Sequence, residues 1–573
     1  MRHLRWRVGL TVSVLLLCGC SGKLSLPRKQ SPPPSQQTAR DMHVVPQTLG
    51  DWARDARLYD GLGDFHRDVT TSSPEAQKFF DQGMRYLWSF NHDESTRSFA
   101  KAAELDPHCA MCFWGVALTV GPNYNLPLMA EPRAKVAWAA LEQAKQQAPR
   151  ATAVEQALIA ALAKRYDGPR PLDPSNEGPV LTAFADAMAG VAKKFPRDLD
   201  VQTLYAESMM NRNAWKLWTP DGKPAPGTRV ILTTLESVLA RDPRHPGANH
   251  YYIHSVEASP NPGRGVAAAE RLRGMMPAAG HLEHMPAHIF QRVGRYAEAA
   301  EANRKGAEAD LAYFARTTPL DYYRVYTAHN YQFLAYSAAM EGRRADAVHA
   351  AKQSRKVVSD EMLAMMPGMD WPLSEAYTAR LRFGMWDDLL AEPPPDAKLK
   401  ALTGGYLYAR ATALAAKGRL EEAQRVLADL ERLAAELPPD AAAGFNSAKD
   451  VFAVAIPIVQ ARIASAENHS TRAIGLLRQA VANEDKLAYD EPSDWFFPVR
   501  HLLGAELLKA GKAKEAEAVY RADLKRNPKN GWALYGLTEA LRAQKKTAEA
   551  TKVEHQFREA WKNADVKLVA SAF

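Results

Sequence analysis

A 34-residue period near the C-terminal end constrains this chain more than any other feature. Gly511-Lys-Ala-Lys-Glu-Ala516, with Tyr520 and Pro528 after it, returns 34 residues later as Lys545-Lys-Thr-Ala-Glu-Ala550. A unit of that length holds a helix pair that cannot bury its apolar face alone, so it must stack on further copies of itself. From about residue 74 the chain is Ala-rich, with apolar residues at helical spacing, Gly- or Pro-marked breaks and no strand alternation. An all-α stack of antiparallel helix pairs is predicted. With 573 residues, 46% hydrophobic and 24% charged, the chain has the composition of a globular protein rather than a disordered one. Four cysteines are too few for a disulfide scaffold or a multi-finger zinc array.

Near the other end, Phe79, Gly83, Tyr86, Phe99, Ala102 and Pro107 fall at fixed places in a similar unit that starts at Ala76. Small residues let the two helices approach, large ones fill the gap, and the proline ends the second helix. These units resemble tetratricopeptide repeats, which implies an α-solenoid whose concave groove takes a protein or peptide. Further units place a small residue at Ala299, Ala347 and Ala423, and a weaker one at Ala473. Their uneven spacing implies inserts, the clearest running from Trp215 through Trp218 to Gly227. An N-terminal array with inserts is expected over 74–390 and a C-terminal array over 391–573, with 46–73 an irregular lead-in.

The N-terminus reads as an address. Arg2, Arg5 and Arg7 precede an apolar run from Leu10 to Leu17, and Leu17-Cys18-Gly19-Cys20 resembles the bacterial lipobox. The resemblance implies a signal peptide over 1–19, cleavage before Cys20, and acylation of that cysteine, for example with palmitate. Ser21 after it implies an outer-membrane lipoprotein with its folded body in the periplasm. The Pro/Ser-rich stretch 20–45 then reads as a flexible tether. Cleavage removes three arginines and no acid, so the formal charge falls from +8 to +5. With no basic stripe, nucleic acid is not an expected partner.

Seven of the sixteen histidines lie within residues 245–329. His250 and His254 are four apart with Glu257 three further on, a spacing that lets two imidazoles on one helical face share a metal. His281, His284 and His288 repeat that logic, and His329 begins the following unit. Three first helices would thus aim histidines at one stretch of groove. Pro286 should kink or begin its helix, which would turn His281 and His284 into loop ligands. The candidate ligands are His250, His254, Glu257, His281, His284, His288 and His329, for one or two ions of Zn, Cu or Fe. Glu257 or Glu283 could serve as a general base. Methionines at 275, 276 and 285, and at 362, 365, 366 and 369, would suit copper but also read as core filler.

Cys109 and Cys112 read as a local disulfide, or as a second metal site with His92 and His108; Phe113 after Cys112 excludes haem attachment. Asp490 to His501, with Trp495 inside it, reads as inter-repeat packing or a groove-lining segment. No nucleophile elbow, Walker loop, GxGxxG or HExxH occurs. The stretches HPGANHYYIHSVEAS and AGHLEHMPAHIFQRVGRY resemble those of a family of exported bacterial tetratricopeptide-repeat lipoproteins, a likeness that strengthens the site without naming its chemistry. The sequence therefore supports a membrane-anchored scaffold whose groove binds a protein and carries a histidine metal site. A metal-dependent hydrolase or oxygenase, or a plain scaffold without metal, are the alternatives.

Overall fold

Helices begin where side chains satisfy their free N–H groups. Ser73 caps the helix Pro74–Trp88, with Pro at its first position, and Asn91 caps His92–Leu105. The computed structural model describes residues 45–573 apart from 318–320 and 365. Among the described residues its regular structure is helical except for one antiparallel pair of two-residue strands, Ala442–Ala443 and Asn446–Ser447. Each helix packs chiefly on its neighbours in sequence, pair after pair, from Pro74–Trp88 to Thr547–Ala560. This is an all-α solenoid of tetratricopeptide type.

The repeat rule is visible in two aromatic clamps. The Phe99 ring lies so close to Gly83 and Gly115 that a Cβ on either would approach it to 2.6 and 2.4 Å. Far along the chain, Tyr520 lies in the same way between Gly504 and Gly536, at 2.3 and 2.2 Å. Glycine is required at these places because a large ring fills the gap between adjacent hairpins.

One apolar core runs from Trp52 to Phe333 and another from Trp371 to Val553. The lead-in contains a short helix, Leu49–Ala53, and is then irregular. It is held against the first repeats by Arg67, which pairs with Asp198 and Asp200, and by Thr70, which donates to Glu155. The stretches read as an export signal and tether, with Cys20, lie outside the described residues; among the described residues no helix is long and apolar enough to cross a membrane.

Candidate metal centre

Three helical stretches carry the histidines. His250 and His254 lie on Pro246–Val256, and His329 lies on Asp321–Met340. Between them in sequence, Gly280–His284 is followed by Pro286–Arg292. Pro286 does restart a helix, but Met285 keeps helical angles (φ −50°, ψ −37°), so His281 and His284 stand on helical turns and not in a loop. Gly280 lets this helix start hard against Asp310, whose Oδ1 would lie 1.9 Å from a Cβ there. Asp310 in turn accepts from Tyr323, Thr327 and Asn330, which flank His329 on its helix. One buried carboxylate thereby registers two of the histidine-bearing stretches on each other.

The rings gather into two adjacent triads, His250/His254/His281 and His284/His288/His329, each offering nitrogens within 4.8 Å of one another. Nε2 of His250 and Nε2 of His281 are 3.2 Å apart, and those of His284 and His288 are 2.9 Å apart. Two nitrogens held at about 2.0–2.1 Å by one tetrahedral ion stand about 3.3 Å apart, so these separations are those of ligands sharing a metal. The triads abut: ring centroids of His254 and His288, and of His281 and His284, are each 5.6 Å apart.

What lies behind each ring decides which nitrogen faces inward. His250 Nδ1 is 2.6 Å from the Trp88 carbonyl, which can only accept, so the proton sits there and Nε2 presents a bare lone pair. His284 Nδ1 meets Asn303 Oδ1 at 2.6 Å, and the amide orientation is fixed because Asn303 Nδ2 donates to the Ala299 carbonyl. His254 Nδ1 meets Glu257 Oε1 at 3.1 Å. His288 Nδ1 faces Glu491 Oε2 at 2.7 Å and Glu257 Oε2 at 3.0 Å, the latter outside hydrogen-bond geometry. Acceptors on Nδ1 are the outer partners that metal-ligating histidines have, since they fix the tautomer and raise ligand basicity. Inside, His254 Nε2, His281 Nδ1 and Glu257 Oε2 are buried with no hydrogen-bond partner. Each such atom costs about 1–3 kcal/mol unless a guest satisfies it.

Electrostatics keep most of the rings neutral, the form that ligates. Burial, reinforced by neighbouring imidazoles, holds His250, His281 and His284 well below the usual histidine range. Burial also lowers His254, and it drives His329 down to about 3. His288 is the exception: burial opposes its charge, but Glu257 and Glu491 outweigh that and push it up to about 10. Burial would raise Glu257, yet His288 and His254 hold it at about 2. In the metal-free protein, then, His288 Nε2–H donates to the bare His284 Nε2, and a proton sits where two lone pairs would otherwise collide.

Sequence reading placed the six histidines and Glu257 together, and so they stand. It did not bring in Glu491, which comes from the Asp490–His501 segment and lies 203 residues beyond His288. That segment both packs and reaches the site. Glu283, the other candidate base, belongs elsewhere: its Oε1 accepts from the Gly274 N–H at 3.0 Å, and it joins none of the ligand groups. His245 is a helix cap, accepting from Ala248 N–H and meeting Asp200 through Nε2. Cys109 and Cys112 form a disulfide, so they offer no thiolate; His108 meets Gln147, and His92 meets the Phe90 carbonyl. Met276, Met285 and Met362 are core residues.

Two bulky residues in the left-handed region also went unforeseen. Phe90 (φ 55°) ends the turn after Pro74–Trp88 and lays its ring against His250, His254 and His281. Trp215 (φ 60°), from the insert, meets His254 on one side and the exposed Phe445 on the other. Such backbone strain persists only where the surroundings enforce it, and here both residues wall the first triad.

No protein-family model matches this chain, and no curated protein sequence matches it. Among solved structures it is similar to human IFIT1 with m7Gppp-AAAA, at 12% identity over 91% of this chain and 99% of that one, with a TM-score of 0.33. Yeast Tom70 gives 12% identity over 84% and 96%, with a TM-score of 0.31. Cut9 in the Cut9–Hcn1 hetero-tetramer of APC/C gives 13% over 90% and 79%, with a TM-score of 0.29. These likenesses say nothing of what this chain binds.

Proposed function

We propose that this protein is a metal-binding solenoid, exported and anchored through Cys20, whose groove holds transition-metal ions on the two histidine triads and receives a protein or peptide partner. One observation carries the metal reading: the ring nitrogens of His250 and His281, and of His284 and His288, stand 3.2 and 2.9 Å apart, and His250, His254, His284 and His288 each have an acceptor behind Nδ1. Side chains packed for stability alone would satisfy their buried polar atoms, whereas His254 Nε2 and His281 Nδ1 are buried with no partner, a cost that a bound ion would recover. Export and anchoring are supported by the Arg2–Cys20 pattern, and the partner by the repeat architecture.

The test is metal content. The chain purified from its native compartment, or refolded with Zn, Cu or Fe and desalted, should retain transition metal in stoichiometric amount by elemental mass spectrometry. Metal-free protein after loading with all three would leave only the scaffold reading.

A further inference from the structure

The charges around the triads narrow what they hold. Five of the six rings are 0–2% exposed, and His329 is half-buried. As ligands all six are neutral, so the only formal charges against the rings are the carboxylates of Glu257 and Glu491, both buried. Arg292, its Nε 3.7 Å from Glu491 Oε1, offsets part of that negative charge. Two divalent ions would bring four positive charges to two negative ones in a desolvated interior. Two monovalent ions come nearer to balance. An unbalanced buried charge is among the most expensive things a fold can contain. Of the ions that imidazole suits, copper is the one with a stable monovalent state, and three nitrogen donors suit its trigonal geometry.

The triads are also one unit. Glu257 touches a histidine of each, His254 through Oε1 and His288 through Oε2. The rings of the two sets lie against each other along both shared edges. Imidazoles in such contact, walled by Phe90, Tyr326 and Phe333, exclude a bulky substrate.

Resting on the metal-binding reading above, we propose that the two triads form a single dinuclear copper centre that takes dioxygen between its two ions. Each copper(I) gives one electron; dioxygen accepts both and becomes a bridging dianion with its O–O bond intact. No proton is taken up, and the buried charge is the same before and after, so the site needs no counter-ion to move. Dioxygen is small and uncharged, which fits a centre lined by rings.

The test uses the full chain loaded with copper(I) under argon, then opened to air. Two coppers per chain should bind. On air exposure a near-ultraviolet charge-transfer band should appear while the copper(II) electron paramagnetic resonance stays silent, because the two spins couple. His329→Ala, which alters the least buried ligand, should leave one copper per chain and an isolated copper(II) resonance after oxidation. A wild-type stoichiometry of one, a resonance accounting for all bound copper, or copper(I) that takes up no dioxygen would overturn the dinuclear proposal. Each of those results leaves the metal-binding reading standing. A chain that retains zinc or iron but not copper also defeats the copper pair alone, whereas failure to bind any metal defeats both.

Discussion

Replacing His281 and His284 together by alanine is expected to abolish metal retention while leaving the helical circular-dichroism signal unchanged. The double variant removes one ligand from each triad, and His281 and His284 also supply the Nε2 atoms that face His250 and His288. Two donors on each side are too few for a stable transition-metal site. The helix itself does not need the rings: its start is set by Gly280 against Asp310 and its restart by Pro286. The difference is measurable by thermal unfolding. A metal present at a hundred times its dissociation constant stabilises the native chain by about 2.7 kcal/mol, and the double variant should lose that increment entirely. If both the metal and the helical signal disappear, these histidines serve the fold rather than a ligand.

Glu257→Gln should weaken metal binding by about 10–100-fold, the usual effect of altering an outer partner of a ligating histidine. The amide can still accept from His254 Nδ1, but the negative charge that faces His254 and His288 is gone. Glu283→Gln, on the same measurement of affinity by competition with a chelator, should change nothing. Its carboxyl answers to the Gly274 N–H and is pushed up by burial, not by the cluster. Equal losses in the two variants would mean that Glu257 has no special connection to the ions.

The contrast between those two glutamates shows where sequence reading succeeds. His250, His254 and Glu257, like His281, His284 and His288, share a helical face, and local spacing alone reports that. The repeat period then brings successive first helices side by side, which is how His329 could be added. Glu491 obeys no such rule, because its place beside His288 depends on how the later hairpins fold back across the earlier ones. The backing groups are equally silent in sequence: Trp88 contributes a backbone carbonyl, and Asn303 is one polar residue on an Ala-rich helix. Glu283 was misplaced because adjacency to His284 in sequence puts it on another side of the helix. The aromatic clamps around Phe99 and Tyr520 were legible in kind, small residues opposite large ones, since the fold repeats them. Phe90 and Trp215 were not, because a left-handed backbone at a bulky residue is imposed by tertiary packing and has no sequence signature.

X-ray absorption at the edge of the retained metal asks the question at the atom concerned. An ion held by these rings should show a shell of imidazole nitrogens at about 2.0–2.1 Å with the outer scattering of intact rings and no sulfur. A first shell of sulfur, or of oxygen alone, would place the ion elsewhere on the chain and contradict ligation by the histidine triads.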